Sequence, residues 1–132
     1  MSFAAVFVVF FACHHVGDYL LQTEWQATHK LGGLGRDAGA RRALVSHVSA
    51  YTLAFVPALV WLASASSAAA AVGLGVAVAL PHLVVDDGRL LRDYLRAVKR
   101  VTDPDRALTT AVDQSVHVVS LFAVALLGAA VT

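Results

Sequence analysis

The chain reads as an all-α integral membrane protein, a four-helix bundle with a short amphipathic interfacial helix between spans three and four. Three observations predict this class. Of 132 residues, 58% are hydrophobic and only 14% are charged, against roughly a quarter charged in soluble domains. All nineteen charged residues fall in two windows, seven in 18–42 and twelve in 86–113, leaving 1–17, 43–85 and 114–132 without any. Four runs also reach the roughly 20 apolar residues that a helix needs to cross about 30 Å of hydrocarbon. This pattern excludes a soluble globule, a disordered chain and a broadly basic nucleic-acid binder. The lone Cys13 excludes a disulfide scaffold. One transmembrane domain is expected over 1–132.

The first span is expected over 2–22. Its apolar opening, Met1–Cys13, resembles the core of a cleaved leader. It lacks a positive start, however, and continues through polar residues, which marks a retained span. The 23–42 loop, with Gly32, Gly33, Gly35 and Gly39, reads as flexible. Span two (43–63) and span three (66–86) are joined by a few small residues and form a tight antiparallel pair. Pro57 and Pro81 should bend them by removing a helix hydrogen bond. Gly73 and Gly75 give span three a small-residue face for close helix approach.

In 88–101, Leu90, Leu91, Tyr94, Leu95 and Val98 recur at helical spacing opposite Arg89, Arg92, Arg96, Lys99 and Arg100. That pattern describes a helix lying in the interface and drawn to anionic lipid headgroups. Span four is expected over 107–131. Every Lys and Arg lies in 23–42 or 87–106. The positive-inside rule then puts both loops in the cytoplasm and both termini outside, in a multi-pass inner-membrane protein. Trp25 and Trp61 suit interfacial anchoring at opposite span ends.

Ionisable groups inside a bilayer are costly, so each is a functional candidate. Span one carries His14, Asp18 and Gln22 at four-residue steps, span two His47 and Tyr51, span three His82 and Asp86, and span four Asp113 and His117. Residues four apart share one helix face. At 1.5 Å per residue, His14 lies about 12 Å from its span's cytoplasmic end, His47 and His82 about 6 Å, and His117 about 15 Å. The spans alternate in direction, yet every pair lies in the cytoplasmic half. Convergence on one polar cavity follows.

Mixed His and Asp donors suit a divalent transition metal, Zn, Mn or Fe. The candidate ligands are His14, Asp18, His47, His82, Asp86, Asp113 and His117, enough for one ion with outer partners or for two bridged by carboxylate. His15, turned about 100° from His14, and His29, in a loop, are expected to lie outside the set. Asp87 is expected to cap a helix.

The run His14-His-Val-Gly-Asp18-Tyr-Leu-Leu-Gln22-Thr-Glu-Trp25-Gln-Ala-Thr-His-Lys30 resembles the opening signature of the small bacterial membrane proteins designated domain of unknown function 3307. His47, Pro81-His82-Leu-Val-Val-Asp86 and Asp113-Gln114-Ser-Val-His117 match its later layout, so the resemblance covers nearly the whole chain. That family is similar in style to membrane-bound metal-dependent hydrolases. The resemblance implies the architecture and the polar set.

The leading expectation is a membrane-embedded, metal-dependent hydrolase acting on a lipid-like or phosphoester substrate from the cytoplasmic leaflet. Asp18, Asp113 or His117 would serve the acid–base chemistry, and Gln22, Gln114, Arg89 and Arg92 would bind substrate. Its expected partners are the bilayer and anionic lipids, not nucleic acid, with homo-oligomerisation open. The alternatives are a divalent-metal or proton translocation unit using the same cluster, a membrane di-iron oxidase or oxygenase, and a scaffold whose polar cluster locks helix packing.

Overall fold

A computed structural model describes residues 1–132, which are helical throughout, with seven α-helices and no strand. Helix α1 (Phe3–His15) runs into a π-helical turn (Val16–Leu20). It is followed by α2 (Glu24–His29), α3 (Ala38–Ala54), α4 (Val56–Ala63), α5 (Ala68–Asp86), α6 (Arg89–Ala97) and α7 (Arg106–Ala130). Five of these helices begin at a side-chain cap. Ser2, Thr23, Asp37, Ser67 and Asp105 each accept a hydrogen bond from the backbone N–H three residues on, which satisfies one of the free donors at a helix start. In α2 the Gln26 side chain also accepts from the Thr23 N–H, completing a capping box.

Three elements are long and apolar enough to cross a membrane: α1 with its π turn (Phe3–Leu20), α5 and α7. The second expected span is different. Its helix starts at Ala38 rather than 43 and breaks at Phe55, so that α3 and α4 meet at 44° and reach spanning length only as a bent pair. Pro57 lies two residues beyond the break and has no N–H to carry the ladder across it. By contrast, α5 runs unbroken through Pro81. Helix α6 is shorter than the expected 88–101. It ends at Ala97, and Arg100 lies beyond it in the left-handed region at φ 56°.

The long helices pack around a common axis. Helix α1 lies against α7, α7 against α5, and α5 against both α3 and α4, while α3 also holds the π turn and α2. One half of the interior is apolar, filled by Val6, Phe10, Phe55, Leu62, Leu74, Val78, Leu121 and Val124. The outer surface is apolar too: Val8, Leu53, Val72 and Val119 are 63–68% exposed. A continuous apolar exterior of this kind suits lipid rather than water.

The Gly-rich stretch after α2, expected to be flexible, is tied down at the α5–α6 junction. The Gly32 N–H donates to the Asp87 carbonyl at 2.8 Å, and the Leu34 N–H donates to Asp87 Oδ1 at 2.7 Å. Asp87 is therefore a cap of a different kind from the one expected. It ends α5, and its side chain clamps the loop instead of starting α6. The Arg89 guanidinium, with the Leu34 N–H, holds its carboxyl below the usual carboxylate range.

Because that carboxyl is depressed in the folded state, its contribution is present above the ordinary Asp range and is lost only as pH falls through the lowered value. The Leu34 amide should accordingly stay protected from hydrogen exchange through about pH 4 and exchange faster in Asp87→Ala at neutral pH. Equal protection in both proteins would show that the clamp is idle. A second test concerns the contact between the π turn and α3. A Cβ on Gly17 would meet Tyr51 Cδ2 at 2.7 Å and Tyr51 Cα at 3.0 Å. Gly17→Ala should cost about 1–3 kcal/mol, the usual range for overpacking, read as a lowered melting temperature in detergent.

Candidate metal centre

Four of the expected residues meet at one point. Asp18 comes from the π turn, His47 from α3, and His82 and Asp86 from α5, and all four are buried. His47 Nε2 lies 3.0 Å from His82 Nε2, 2.8 Å from Asp86 Oδ2 and 3.2 Å from Asp18 Oδ1. His82 Nε2 lies 3.2 Å from Asp86 Oδ2 and 3.9 Å from Asp18 Oδ1. Ligands held at 2.0–2.1 Å around a tetrahedral zinc-like ion sit about 3.3 Å apart. Five of the six edges of the set therefore bracket that spacing.

Local structure explains the convergence. His82 and Asp86 share one face of the last turns of α5, as their four-residue spacing requires. The His82 ring lies flat on Tyr51, with centroids 3.4 Å apart and planes 5° apart, which fixes its azimuth. Asp18 depends on the π turn, closed by the Leu21 N–H donating to the Val16 carbonyl. Wide turns of this type are rare and concentrate at functional sites. Gly17 in the same turn lets the α3 backbone approach closely.

Asp113 and His117 of α7 lie beside this set. Asp18, Asp113 and His117 form a second group, with one donor atom from each within 4.8 Å of the others. The His117 Nδ1–H donates to the Asp113 carbonyl at 3.0 Å, and Asp113 Oδ2 lies 3.6 Å from the same nitrogen. Asp113 is partly exposed, whereas His117 is buried.

Other expected residues are placed differently. His14 is buried but joins neither group, because both ring nitrogens are spent on protein. Gln114 Nε2 donates to Asp18 Oδ2 at 2.7 Å, so its Oε1 accepts from His14 Nε2 at 2.9 Å, and the Tyr51 hydroxyl faces His14 Nδ1 at 3.1 Å. Gln114 is thereby occupied as a bracket between His14 and Asp18. Gln22 reaches the cluster instead, with Nε2 3.1 Å from His47 Nε2. His15 turns outward, stacked on Tyr19, and His29 is exposed on α2.

Arg89 and Arg92 line a separate groove of about 430 Å³ with Leu31, Leu95, Arg96 and Pro104. The groove and the cluster meet at adjacent residues. Lys30 and Asp86 belong to one, and Leu31 and Asp87 to the other.

Lys30 is the residue that sequence reasoning passed over as a mere topology charge. Its Nζ donates to Asp86 Oδ2 at 2.8 Å, with only 13% of the side chain exposed. No local spacing links residues 56 positions apart. The one available signal was that Lys30 closes the run quoted above. The charge balance is informative as well. Asp18, Asp86 and Asp113 against Lys30, with neutral imidazoles, give 1 − 3 = −2. Buried carboxylates such as Asp18 and Asp86 are costly without compensation, and either protons on the imidazoles or a divalent cation would balance that charge.

No curated protein and no solved structure matches this chain. The family model described as Protein of unknown function (DUF3307) matches residues 6–132. That match spans α7, the π turn and every member of the buried His/Asp set, and so the chain belongs to the DUF3307 family.

Proposed function

We propose that the protein is a membrane-embedded, metal-dependent hydrolase that acts on a lipid-like phosphoester from the cytoplasmic leaflet. The observation that carries this reading is the near-tetrahedral set of His47 Nε2, His82 Nε2, Asp18 Oδ1 and Asp86 Oδ2, whose spacings fit one shared ion. Zn, Mn or Fe would suit these donors. An ion held there would lower the pKa of a bound water toward 7 and polarise the scissile group.

The chain's own groups supply the rest. Asp113 sits at the partly exposed edge beside His117, where a carboxylate can take the proton from the attacking water. Water adds to phosphorus, the P–O ester bond breaks, and the leaving alkoxide takes the proton that Asp113 accepted from the water. Arg92 and Arg96, in the groove next to Lys30 and Asp86, would hold the anionic headgroup.

The proposed topology has four crossings, with α3 and α4 as one bent span. Supporting it, the Met1 amino group donates to Thr132 Oγ1 at 2.7 Å. Ends that meet imply an even number of crossings. The basic α6 and the Lys30 loop then face the cytoplasm of a multi-pass inner-membrane protein. The translocation reading finds less support, because the interior beyond the cluster is filled by Phe10, Phe55, Leu74 and Leu121 and carries no polar relay.

Elemental analysis of the purified protein in detergent should find at least one transition metal per chain, with His82→Ala and Asp18→Asn losing it. A protein that contains none and takes up none on titration overturns the proposal. With a phosphoester substrate presented in mixed micelles, Arg92→Gln should raise KM several-fold and leave kcat nearly unchanged, since it removes uniform binding only. Unchanged KM and kcat would place Arg92 outside the substrate path.

A further inference from the structure

His117 and Asp86 face each other in a way that the first ion does not resolve. The His117 Nδ1–H is committed to the Asp113 carbonyl, so in the neutral ring Nε2 carries a bare lone pair. That nitrogen lies 3.4 Å from Asp86 Oδ1, and a carboxylate oxygen is an acceptor too. Both atoms are buried, on side chains 2% and 1% exposed, and neither has any hydrogen-bond partner. Two unpartnered acceptors side by side in a dry interior call for an electrophile, a proton or a cation, between them. Their separation again matches the roughly 3.3 Å expected for two ligands on a single ion. Asp86 Oδ2, meanwhile, is already committed to the His47 and His82 side.

We infer that His117 Nε2 and Asp86 Oδ1 hold a second divalent cation, and that the Asp86 carboxylate bridges the two ions. This rests on the metal reading of the first set. Besides the proton-accepting role proposed for its side chain, Asp113 positions the His117 ring through its backbone. Its carbonyl, with its carboxylate 3.6 Å from Nδ1, fixes the ring so that Nε2 faces inward. Carboxylate-bridged ions lie about 3.5–4 Å apart and clamp the attacking and leaving oxygens of an in-line displacement. The charge argues for the same substrate class. Two divalent ions against the −2 of the cluster leave 4 − 2 = +2. An anionic phosphoester offsets that charge, whereas a neutral ester or amide would leave it uncompensated.

The test is metal stoichiometry combined with Mn(II) electron paramagnetic resonance on the full chain in detergent. Wild type should saturate at two ions per chain and show an exchange-coupled spectrum. His117→Gln should retain one ion with an uncoupled six-line spectrum, and that retained ion also reports that the variant is folded. Wild type saturating at one uncoupled ion, unaffected by His117→Gln, overturns the bridged pair and leaves the first site standing. It would mean that a proton occupies the gap between His117 and Asp86. Wild type binding no ion overturns both readings. If His117→Gln binds nothing, the wild-type spectrum decides alone, since coupling supports the pair and its absence sinks it.

Discussion

The Asp86 carboxylate is the constraint around which the molecule is arranged. It is almost wholly buried at the end of α5, yet four cationic or potentially ligating groups from separate elements converge on it: Lys30, His47, His82 and His117. An ionised carboxylate left alone in such a place would cost several kcal/mol. Each element that reaches it therefore has a defined task. The loop after α2 delivers Lys30, the clamp at Asp87 holds that loop on α5, and the π turn brings Asp18 to the facing side. Loosening the Lys30 loop, or the clamp that holds it, leaves the same charge less well compensated. Features far apart in the chain are thereby energetically coupled.

The bundle divides its work along its axis. Beyond the cluster, aromatic and aliphatic side chains fill the interior, with Phe10 packed edge-on against Phe55. Tyr51 belongs to both halves. Its ring stacks on His82 and lies against Phe55, while its hydroxyl faces His14. The apolar half thus sets the helix positions, and Tyr51 transmits them to the imidazoles. Preorganised donors in a dry pocket are what the proposed metal site needs, and the far half of the interior is filled by apolar side chains.

The parts legible in the sequence are those governed by local geometry. Four-residue spacing places His82 with Asp86 and Asp113 with His117 whatever the tertiary fold, and alternating span direction gives their common depth. What stayed hidden depends on long-range packing or on single atoms. The spacing of His14 and Asp18 suggested one ligand stripe. Gln114, about 100 residues away, instead separates their roles, holding His14 through one amide atom and Asp18 through the other. Glycines in 32–39 signalled freedom, but Gly33 sits where a Cβ would meet Leu44 at 2.7 Å. There glycine serves close packing instead. The break at Phe55 was signalled by Pro57, yet Pro81 carried the same signal without interrupting α5. The two prolines differ in their surroundings, not in their chemistry.

Asp86 and Asp87 show how one helix end serves two neighbouring surfaces. Consecutive residues on a helix diverge by about 100°, so Asp86 turns into the cluster while Asp87 turns toward the groove lined by Arg89 and Arg92. Lys30 and Leu31 divide in the same way across the opposing loop. The wall between the groove and the cluster is therefore only two pairs of adjacent residues thick, and both pairs are tied by hydrogen bonds between the loop and α5. The groove and the cluster thus share the Lys30–Leu34 segment, whose hydrogen bonds to the end of α5 hold both surfaces in place.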